Sequence, residues 1–157
     1  MQEIERKFLV TSEAFKEEAF NRERIVQGYL FSVPERTVRV RIKGNRGFVT
    51  VNGASDTSGI SRYEWEKEIA FAEAEELLQL CEQGVIDKIR YEVKVGLYVY
   101  EVDVFNAQNH GLIIAEIELP DENAEYEKPL WLGKEVTGNS RYYNAMLSKQ
   151  SYSDSEL

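Results

Sequence analysis

Apolar and polar residues alternate along most of this chain, and such alternation predicts β-strands. Residues two positions apart in a strand point to the same face of the sheet. Residues 37–43 therefore place three apolar side chains on one face and Arg39, Arg41 and Lys43 on the other. Because other segments follow the same rule, we predict a sheet with one largely apolar face and one charged face.

The same criterion, with runs of β-branched and aromatic residues between turn residues, predicts eight strands. They cover residues 2–10, 24–32, 36–43, 48–51, 62–71, 86–95, 98–105 and 112–119. Residues 53–61 are rich in glycine, serine and aspartate and are expected to form a loop.

Short helices are predicted between some of the strands and near the C-terminus. Thr11 and Ser12 are expected to cap a first helix over about 13–20, and a second helix is expected over 72–81. Asn139 is expected to cap the last helix. The fold class is therefore α+β and mainly β.

Short strands joined by tight turns favour an antiparallel sheet. Eight such strands can close into a barrel whose bore is just wide enough for side chains and one small ligand. The alternative is an antiparallel sheet whose apolar face covers a core and whose charged face lies in water. The residue pattern alone leaves both folds open.

Length and composition indicate one globular domain. At 157 residues the chain is long enough for one sizeable core and too short for two ordinary domains. We predict a single domain over residues 1–150 and a polar C-terminal tail over residues 151–157. Apolar residues make up 43% and charged residues 30%, a balance that excludes a disordered chain.

Charge and cysteine content limit the partners and the compartment. The net charge of -9 argues against nucleic acid, and no apolar run is long enough to span a membrane. Distant exposed charges are screened, so a local cluster of cations can still bind a small anion. Cys81 is the only cysteine and is expected to be a buried structural thiol, which fits a cytoplasmic protein. A homodimer is only a general expectation.

Three acid-and-base patterns carry the candidate chemistry: Glu3-Ile-Glu5-Arg-Lys7, Arg39-Val-Arg41 and Glu116-Ile-Glu118. Each gathers charged groups on one face of its strand. Glu3 and Glu5 would lie about 7 Å apart along the strand, close enough for their side chains to converge on one ion. Carboxylates without a His or Cys cluster favour Mg²⁺ or Mn²⁺ over zinc, while arginine and lysine suit phosphate oxygens.

These patterns, together with Lys88-x-Arg90, occur in the order and spacing of the CYTH superfamily, the triphosphate tunnel metalloenzymes. The chain resembles the short bacterial inorganic triphosphatase branch of that family over about 145 residues. Residues 25–30 and 134–138 also match it. The resemblance implies a closed eight-stranded antiparallel tunnel with a charged interior and helices packed outside.

The resemblance also implies roles for particular residues. Metal ligands would be Glu3, Glu5, Glu116 and Glu118, with Glu64, Glu66 and Asp103 as further inner carboxylates. Triphosphate would contact Lys7, Arg39, Arg41, Asn52, Lys88, Arg90 and Tyr29. The residues expected to act in catalysis are Glu5, Lys7, Arg41 and Glu118. The implied activity is hydrolysis of tripolyphosphate to pyrophosphate and phosphate with Mg²⁺ or Mn²⁺.

One position departs from the family pattern. A lysine that usually contacts phosphate in a Thr-x-Lys-Gly context is replaced by Asn52 in Thr50-Val51-Asn52-Gly53. Asparagine can donate a hydrogen bond but carries no charge, so impaired turnover is expected. Lys43 shares a face with Arg39 and Arg41 and is a candidate for compensation.

Three functions therefore stay open at this stage. The first is the inorganic triphosphatase, or a triphosphatase acting on nucleoside or thiamine triphosphate. The second is a class IV-type adenylate cyclase, which would form cyclic AMP from ATP. The third is a triphosphate-binding module with little catalysis, for which Asn52 is the main support. Lys134, Arg141 and His110 are expected in solvent, without a catalytic role.

Overall fold

A computed structural model describes residues 2–152 and shows one antiparallel sheet that closes on itself. The strands are β1 (Gln2–Val10), β2 (Asn21–Val33), β3 (Arg36–Lys43), β4 (Arg46–Ser55), β5 (Ser61–Ile69), β6 (Ile86–Val95), β7 (Tyr98–Phe105), β8 (Ile113–Glu118) and β9 (Leu132–Glu135). The helices are α1 (Phe15–Glu18), α2 (Phe71–Leu78) and α3 (Asn144–Lys149). Two 3₁₀ turns cover Ala107–Asn109 and Ser140–Tyr142.

The first eight strands form the barrel in the order β5-β4-β3-β2-β6-β7-β8-β1, and β1 pairs with β5 to close it. The closing seam consists of three residue pairs, Gln2 with Tyr63, Glu3 with Arg62 and Ile4 with Ser61. All strand pairs are antiparallel, so directly opposed residues share a face and the inward charged rows stay in register. The prediction of a closed, mainly β tunnel is confirmed.

The strand boundaries agree with the alternating pattern and differ where alternation is weak. Strands β6 and β7 have the predicted bounds, and β1 does as well. Strand β4 is longer than predicted and includes residues 53–55, so the expected loop shrinks to residues 56–60. Strand β2 begins at Asn21, ahead of its apolar stretch, because residues 21–27 form seven cross-strand pairs with β6.

A ninth strand was missed. Residues 132–135 pair with Phe8 and Val10 on the edge of β1 that β5 leaves free. A strand of four residues with two cross-strand pairs is too short to show a recognisable alternating pattern. Its pairing also depends on the position of β1.

The expected caps differ in detail. Helix α1 begins after Ala14, whose side chain accepts no capping hydrogen bond. The side-chain oxygen of Asn139 accepts from the backbone N–H of Arg141, so it caps the 3₁₀ turn at residues 140–142 instead of a longer helix. Helix α3 follows after Tyr143.

The outer face of the barrel buries the larger apolar cluster. Phe15 of α1 packs edge-to-face against Trp131. Phe15 packs in the same way against Tyr91, and Trp131 against Tyr100. The ring centroids in these three pairs lie 5.4 to 5.8 Å apart. Phe15 is fully buried and Trp131 is nearly so. Outward apolar residues of β6, β7 and β8 complete this cluster, so the charged faces of the strands are left to point inward.

A second apolar cluster fills the barrel interior at one end. Ile86, Phe105 and Ile114 belong to inward-facing rows, and Leu147 of α3 packs with them. Unlike α1 and α2, helix α3 is therefore held against the bore. Its polar groups fasten it there, because the Ser148 hydroxyl donates to the Gly84 carbonyl at 2.7 Å.

The C-terminal tail was predicted to begin at residue 151. Residues 153–157 lie outside the described part of the chain. The backbone N–H of Tyr152 donates to Asn109 Oδ1 at 2.7 Å. Among residues 2–152, no helix has the length and apolar character needed to cross a membrane.

Cys81 is only partly buried, so the expectation of a buried thiol is met in part. Its Sγ donates to the carbonyl of Leu77 at 3.5 Å, and burial raises the pKa of the thiol.

The contact of Gly84 with α3 generates a stability prediction. Gly84 has φ +94°, and a Cβ there would lie 1.7 Å from the Ser148 carbonyl oxygen. Gly111 has a similar φ of +98°, but a Cβ there would meet nothing within 4 Å. We expect Gly111→Ala to lower the free energy of unfolding by about 1 kcal/mol from backbone strain alone. Gly84→Ala should lower it by about 3 kcal/mol, because α3 must move as well.

Urea unfolding of both variants measures this difference. Equal losses at the two glycines would show that α3 does not depend on the close approach at Gly84.

Candidate active site

The bore of the barrel contains a cavity of about 510 Å³. Seven cationic side chains line it: Lys7, Arg39, Arg41, Lys43, Arg62, Arg90 and Lys149. Seven carboxylates line it as well: Glu3, Glu5, Glu64, Glu66, Glu101, Glu116 and Glu118. The lining supplied by residues 2–152 is thus formally balanced, so the net charge of -9 arises elsewhere on the protein.

Most of the predicted site residues line this cavity. Tyr29 is among them and is 5% exposed. Three predicted residues, Asn52, Lys88 and Asp103, are buried on the inward faces of their strands but are not part of the cavity wall. The predicted constellation is therefore brought together in space, with these three side chains set behind the surface that a ligand would touch.

The acidic end of the cavity is built by β1, β8 and β5. Glu5 is paired with Glu118 and Lys7 with Glu116 across β1 and β8, while Glu3 is paired with Arg62 across the seam. Burial and a hydrogen bond with Glu64 raise the pKa of Glu3 to about 7. Burial and repulsion from Glu116 and Glu3 raise the pKa of Glu5 well above its ordinary value.

Glu116 behaves in the opposite way because three cations, Lys7, Arg90 and Lys88, act on it. Lys7 Nζ lies 3.4 Å from Glu116 Oε1 and donates to the carbonyl of Tyr142 at 3.2 Å. Burial would raise the pKa of Glu116, but Lys7, Arg90 and Lys88 together outweigh it and the pKa falls to about 2. Glu118 has no such partner, and burial together with repulsion from Glu64 raises its pKa.

The basic wall is built by β3. Arg39 and Arg41 each approach the same carboxylate oxygen, Glu66 Oε2, at 3.6 and 3.3 Å. The Thr50 hydroxyl donates to that oxygen at 2.7 Å and accepts from Arg39 at 3.1 Å. Burial and the neighbouring Arg39 and Arg90 lower the pKa of Arg41 to about 10. Two guanidinium groups thus share one carboxylate, so some of their N–H donors are left to bind an anionic ligand.

Arg90, Asp103 and Lys88 form a compact ion cluster on the neighbouring strands β6 and β7. Asp103 accepts two hydrogen bonds from Arg90, at 2.8 and 3.0 Å, and lies 2.7 Å from Lys88 Nζ. Burial alone would raise the pKa of Asp103, but the two cations hold it below its ordinary value. Lys88 also donates to Asn144 Oδ1 at 3.0 Å, and burial lowers its pKa to about 8. Asp103 and Lys88 therefore neutralise each other and orient Arg90.

Asn52 faces inward beside Glu64, with which it is paired across β4 and β5. Its amide donates to the backbone carbonyl of Tyr63 at 3.4 Å. Lys43, for which the sequence left both this wall and solvent at the strand end open, lies on the cavity wall. Lys134, Arg141 and His110 are exposed, as expected.

Three charged residues of the cavity were not selected from the sequence: Arg62, Glu101 and Lys149. Arg62 Nε donates to Glu3 Oε1 at 3.2 Å, and Glu101 accepts from Arg90 at 3.2 Å. Arg62 and Glu101 lie two positions before a selected acid on the same strand, so the alternation rule would have found them. Tyr143 also lines the cavity, and its ring contacts Lys7 Nζ at 5.3 Å. No local pattern indicated that the segment before α3 returns to the bore.

The carboxylates fit a hard divalent cation by their chemistry. Glu3 and Glu5 are partly buried acids whose pKa values are raised, and a bound cation would relieve the cost of ionising them. Among residues 2–152, no group of three or more His, Cys, Asp or Glu is already arranged as a metal site. The cations explain this, because Glu3, Glu66 and Glu116 each lie in an ion pair.

These features define a β-tunnel protein whose interior is built for a small, highly charged ligand. Comparison with known proteins identifies the family. The family model of the CYTH domain matches residues 1–152. The chain is 49% identical to the inorganic triphosphatase of Acetivibrio thermocellus, covering 96% of this chain and 95% of that protein. It is 33% identical to the inorganic triphosphatase of Nitrosomonas europaea, with 94% and 97% covered.

A solved structure agrees with these relatives. The crystal structure of the inorganic triphosphatase NE1496 superposes with a TM-score of 0.67 at 31% identity, covering 93% of each chain. The chain belongs to the CYTH domain family, and the resemblance seen in the sequence is confirmed.

The raised acid pKa values generate a prediction for the metal-free protein. Glu3 and Glu5 retain protons in the folded state at pH values where the unfolded chain has released them. The stabilising contribution of Glu3 is present below the ordinary carboxyl pKa and is lost as pH rises through about 7, and that of Glu5 is lost in the same direction. We expect the free energy of unfolding in EDTA to fall by about 1 to 2 kcal/mol between pH 5 and 7.5. Glu116 and Asp103 act with the opposite sign, but below this window.

Urea unfolding at several pH values provides the measurement, and Glu3→Gln should reduce the slope. The exposed Glu68, which pairs with Arg46, offers a control, since Glu68→Gln should leave the slope unchanged. A free energy of unfolding that rises over this window would contradict the assignment.

Proposed function

We propose that this protein hydrolyses inorganic triphosphate to pyrophosphate and phosphate inside the barrel. The observation that carries the proposal is the cavity inside the closed barrel, which seven cationic side chains and seven carboxylates line together. The named activity of two relatives at 49% and 33% identity supports the same substrate. Tripolyphosphate is a compact polyanion that a cavity of about 510 Å³ can enclose.

The cations of the bore would hold the phosphate oxygens. Arg39 and Arg41 point to one region through their shared partner Glu66. A phosphate group would compete with that carboxylate, because bidentate guanidinium contacts with phosphate are strong. Arg90 is fixed from behind by Asp103, and Lys7 is held beside Glu116, so both present charge at fixed places. The substrate is thus oriented mainly by groups that need little rearrangement.

The carboxylates would hold the metal that the family implies. Glu3, Glu5, Glu116 and Glu118 are the proposed ligands, with Mg²⁺ or Mn²⁺ as the ions that fit all-oxygen donors. Bound there, the metal would supply charge neutralisation on the phosphate oxygens.

The attacking nucleophile is water, and its proton needs an acceptor. The proposed acceptor is the carboxylate of Glu118, which lines the cavity. As water attacks the terminal phosphorus, the bond to the bridging oxygen breaks and pyrophosphate leaves. No covalent bond between protein and phosphate is required.

An assay with purified protein separates the candidate functions. Incubation with tripolyphosphate, ATP or thiamine triphosphate, each with Mg²⁺ or Mn²⁺, should release phosphate and pyrophosphate from tripolyphosphate. Cyclic AMP from ATP would instead identify a cyclase, and tight binding without turnover would identify a binding module. Glu5→Gln and Glu116→Gln should each lower kcat/KM by about a hundredfold or more through loss of metal binding.

Glu68→Gln serves as the matched control, because Glu68 is half-exposed and pairs with Arg46 outside the cavity wall. Full activity in Glu5→Gln would exclude Glu5 from the proposed metal site.

The uncharged Asn52 leads to a gain-of-function prediction. The Asn52 side chain is 2% exposed and hydrogen-bonds the backbone of Tyr63, so it presents no charge to the cavity. A lysine at this position can extend further along the inward face and add a charge-assisted contact. We expect Asn52→Lys to raise kcat/KM for tripolyphosphate by about tenfold.

Steady-state kinetics test this expectation, with Asn52→Gln as the neutral control of greater length. If Asn52→Lys turns over no faster than the parent, the absence of lysine at this position does not limit the reaction.

A further inference from the structure

Gln27 is a fully buried polar residue that has no part in the proposed reaction as described so far. It lies on β2, 0% exposed, directly opposite Arg41 on β3. Opposed residues of an antiparallel pair share a face, so the Gln27 side chain points to the same inward side as Arg41. Among residues 2–152, neither its Oε1 nor its Nε2 has a hydrogen-bond partner.

The position itself does not require a polar side chain. Ile25, the next inward residue on β2, is fully buried, and Ile86, opposite Gln27 on β6, is 1% exposed. An apolar residue of similar length would fill the same space without a desolvated amide. A buried polar group without partners therefore calls for a functional explanation.

The complementary group lies next to it. Arg41 Nε is also buried and has no acceptor in the part of the chain that the structure describes, and the same holds for Nε of Arg39. The other end of the Arg41 guanidinium is held by Glu66 at 3.3 Å. Side chains opposed across two antiparallel strands have Cβ atoms about 4.5 to 5.5 Å apart, which is within reach of a side-chain hydrogen bond.

We propose that Gln27 is the positioning residue for Arg41 when triphosphate is bound. As a phosphate group displaces Glu66 from the guanidinium, Arg41 turns and its Nε–H donates to the amide oxygen of Gln27. The guanidinium is then fixed with its terminal nitrogens directed at the phosphate. This inference rests on the proposed function and adds to it the residue that orients the phosphate-binding arginine.

Nuclear magnetic resonance on the unaltered protein tests the contact directly. In ¹H–¹⁵N spectra of arginine side chains, the Nε–H of Arg41, assigned with Arg41→Lys, should shift downfield and exchange more slowly when tripolyphosphate is added. The same signal should not respond in this way in Gln27→Met, which keeps the length of the side chain and removes the amide. An unchanged exchange rate in the unaltered protein, despite bound tripolyphosphate, would overturn the proposal.

Kinetics distinguish positioning from a purely structural role. Gln27→Met should raise KM for tripolyphosphate by about tenfold or more, with an unchanged or higher Tm. Ile25→Met is the matched control, since it changes the packing of the neighbouring inward position without removing an amide. A lowered Tm with an unchanged KM in Gln27→Met would assign Gln27 to structure alone.

A double-mutant cycle completes the test. If Gln27 acts through Arg41, Gln27→Met should cause no further loss of kcat/KM in an Arg41→Gln background. Equal losses in both backgrounds would contradict action through Arg41. Failure of the proposed function is recognised separately, because the unaltered protein would then neither bind nor hydrolyse tripolyphosphate with Mg²⁺.

Discussion

Mutual neutralisation of charges inside a closed barrel is the constraint on which the rest of this structure depends. Ionised groups removed from water are costly unless they are paired and hydrogen-bonded. The buried pairs of Lys7 with Glu116 and of Arg90 with Asp103 meet this requirement across neighbouring strands. They do so only because the strands are in register, so the fold and the charge pattern determine each other.

The same constraint explains why the two halves of the cavity differ. Where a cation faces each acid, the acids stay ionised, as the low pKa of Glu116 shows. At Glu3 and Glu5, burial and neighbouring acids outweigh the nearby cations, including Arg62 beside Glu3, so protons are retained in the region of the proposed metal site. A bound anion would compete with the carboxylates for the cations of the bore, and a bound metal would compete with those cations for the carboxylates. Each ligand would therefore free residues that the other one binds. Binding of the two is therefore expected to be cooperative in the proposed reaction.

Much of the fold could be predicted because alternation with a period of two is a direct consequence of strand geometry. The β6 and β7 strands show it without interruption and were located to the residue. The β9 strand and the inward course of α3 were not predicted, since both depend on contacts between distant parts of the chain. For the site, alternation placed Glu5, Arg41 and Glu116 correctly on the cavity side. It could not show that Asp103 and Lys88 are sealed behind the wall, because their mutual ion pair is a tertiary contact.

The pairing of β1 has a consequence for how the chain reaches this state. Residues 5–9 of β1 pair with β8, residues 2–4 pair with β5, and residues 8 and 10 pair with β9. Strand β1 therefore has all of these partners only after residue 135 has been made. Ring closure is a late event that joins sequence-distant segments, and such non-local pairing slows folding. Until the ring of strands closes, the charged interior is open to water, so the bore is hydrated before it is enclosed.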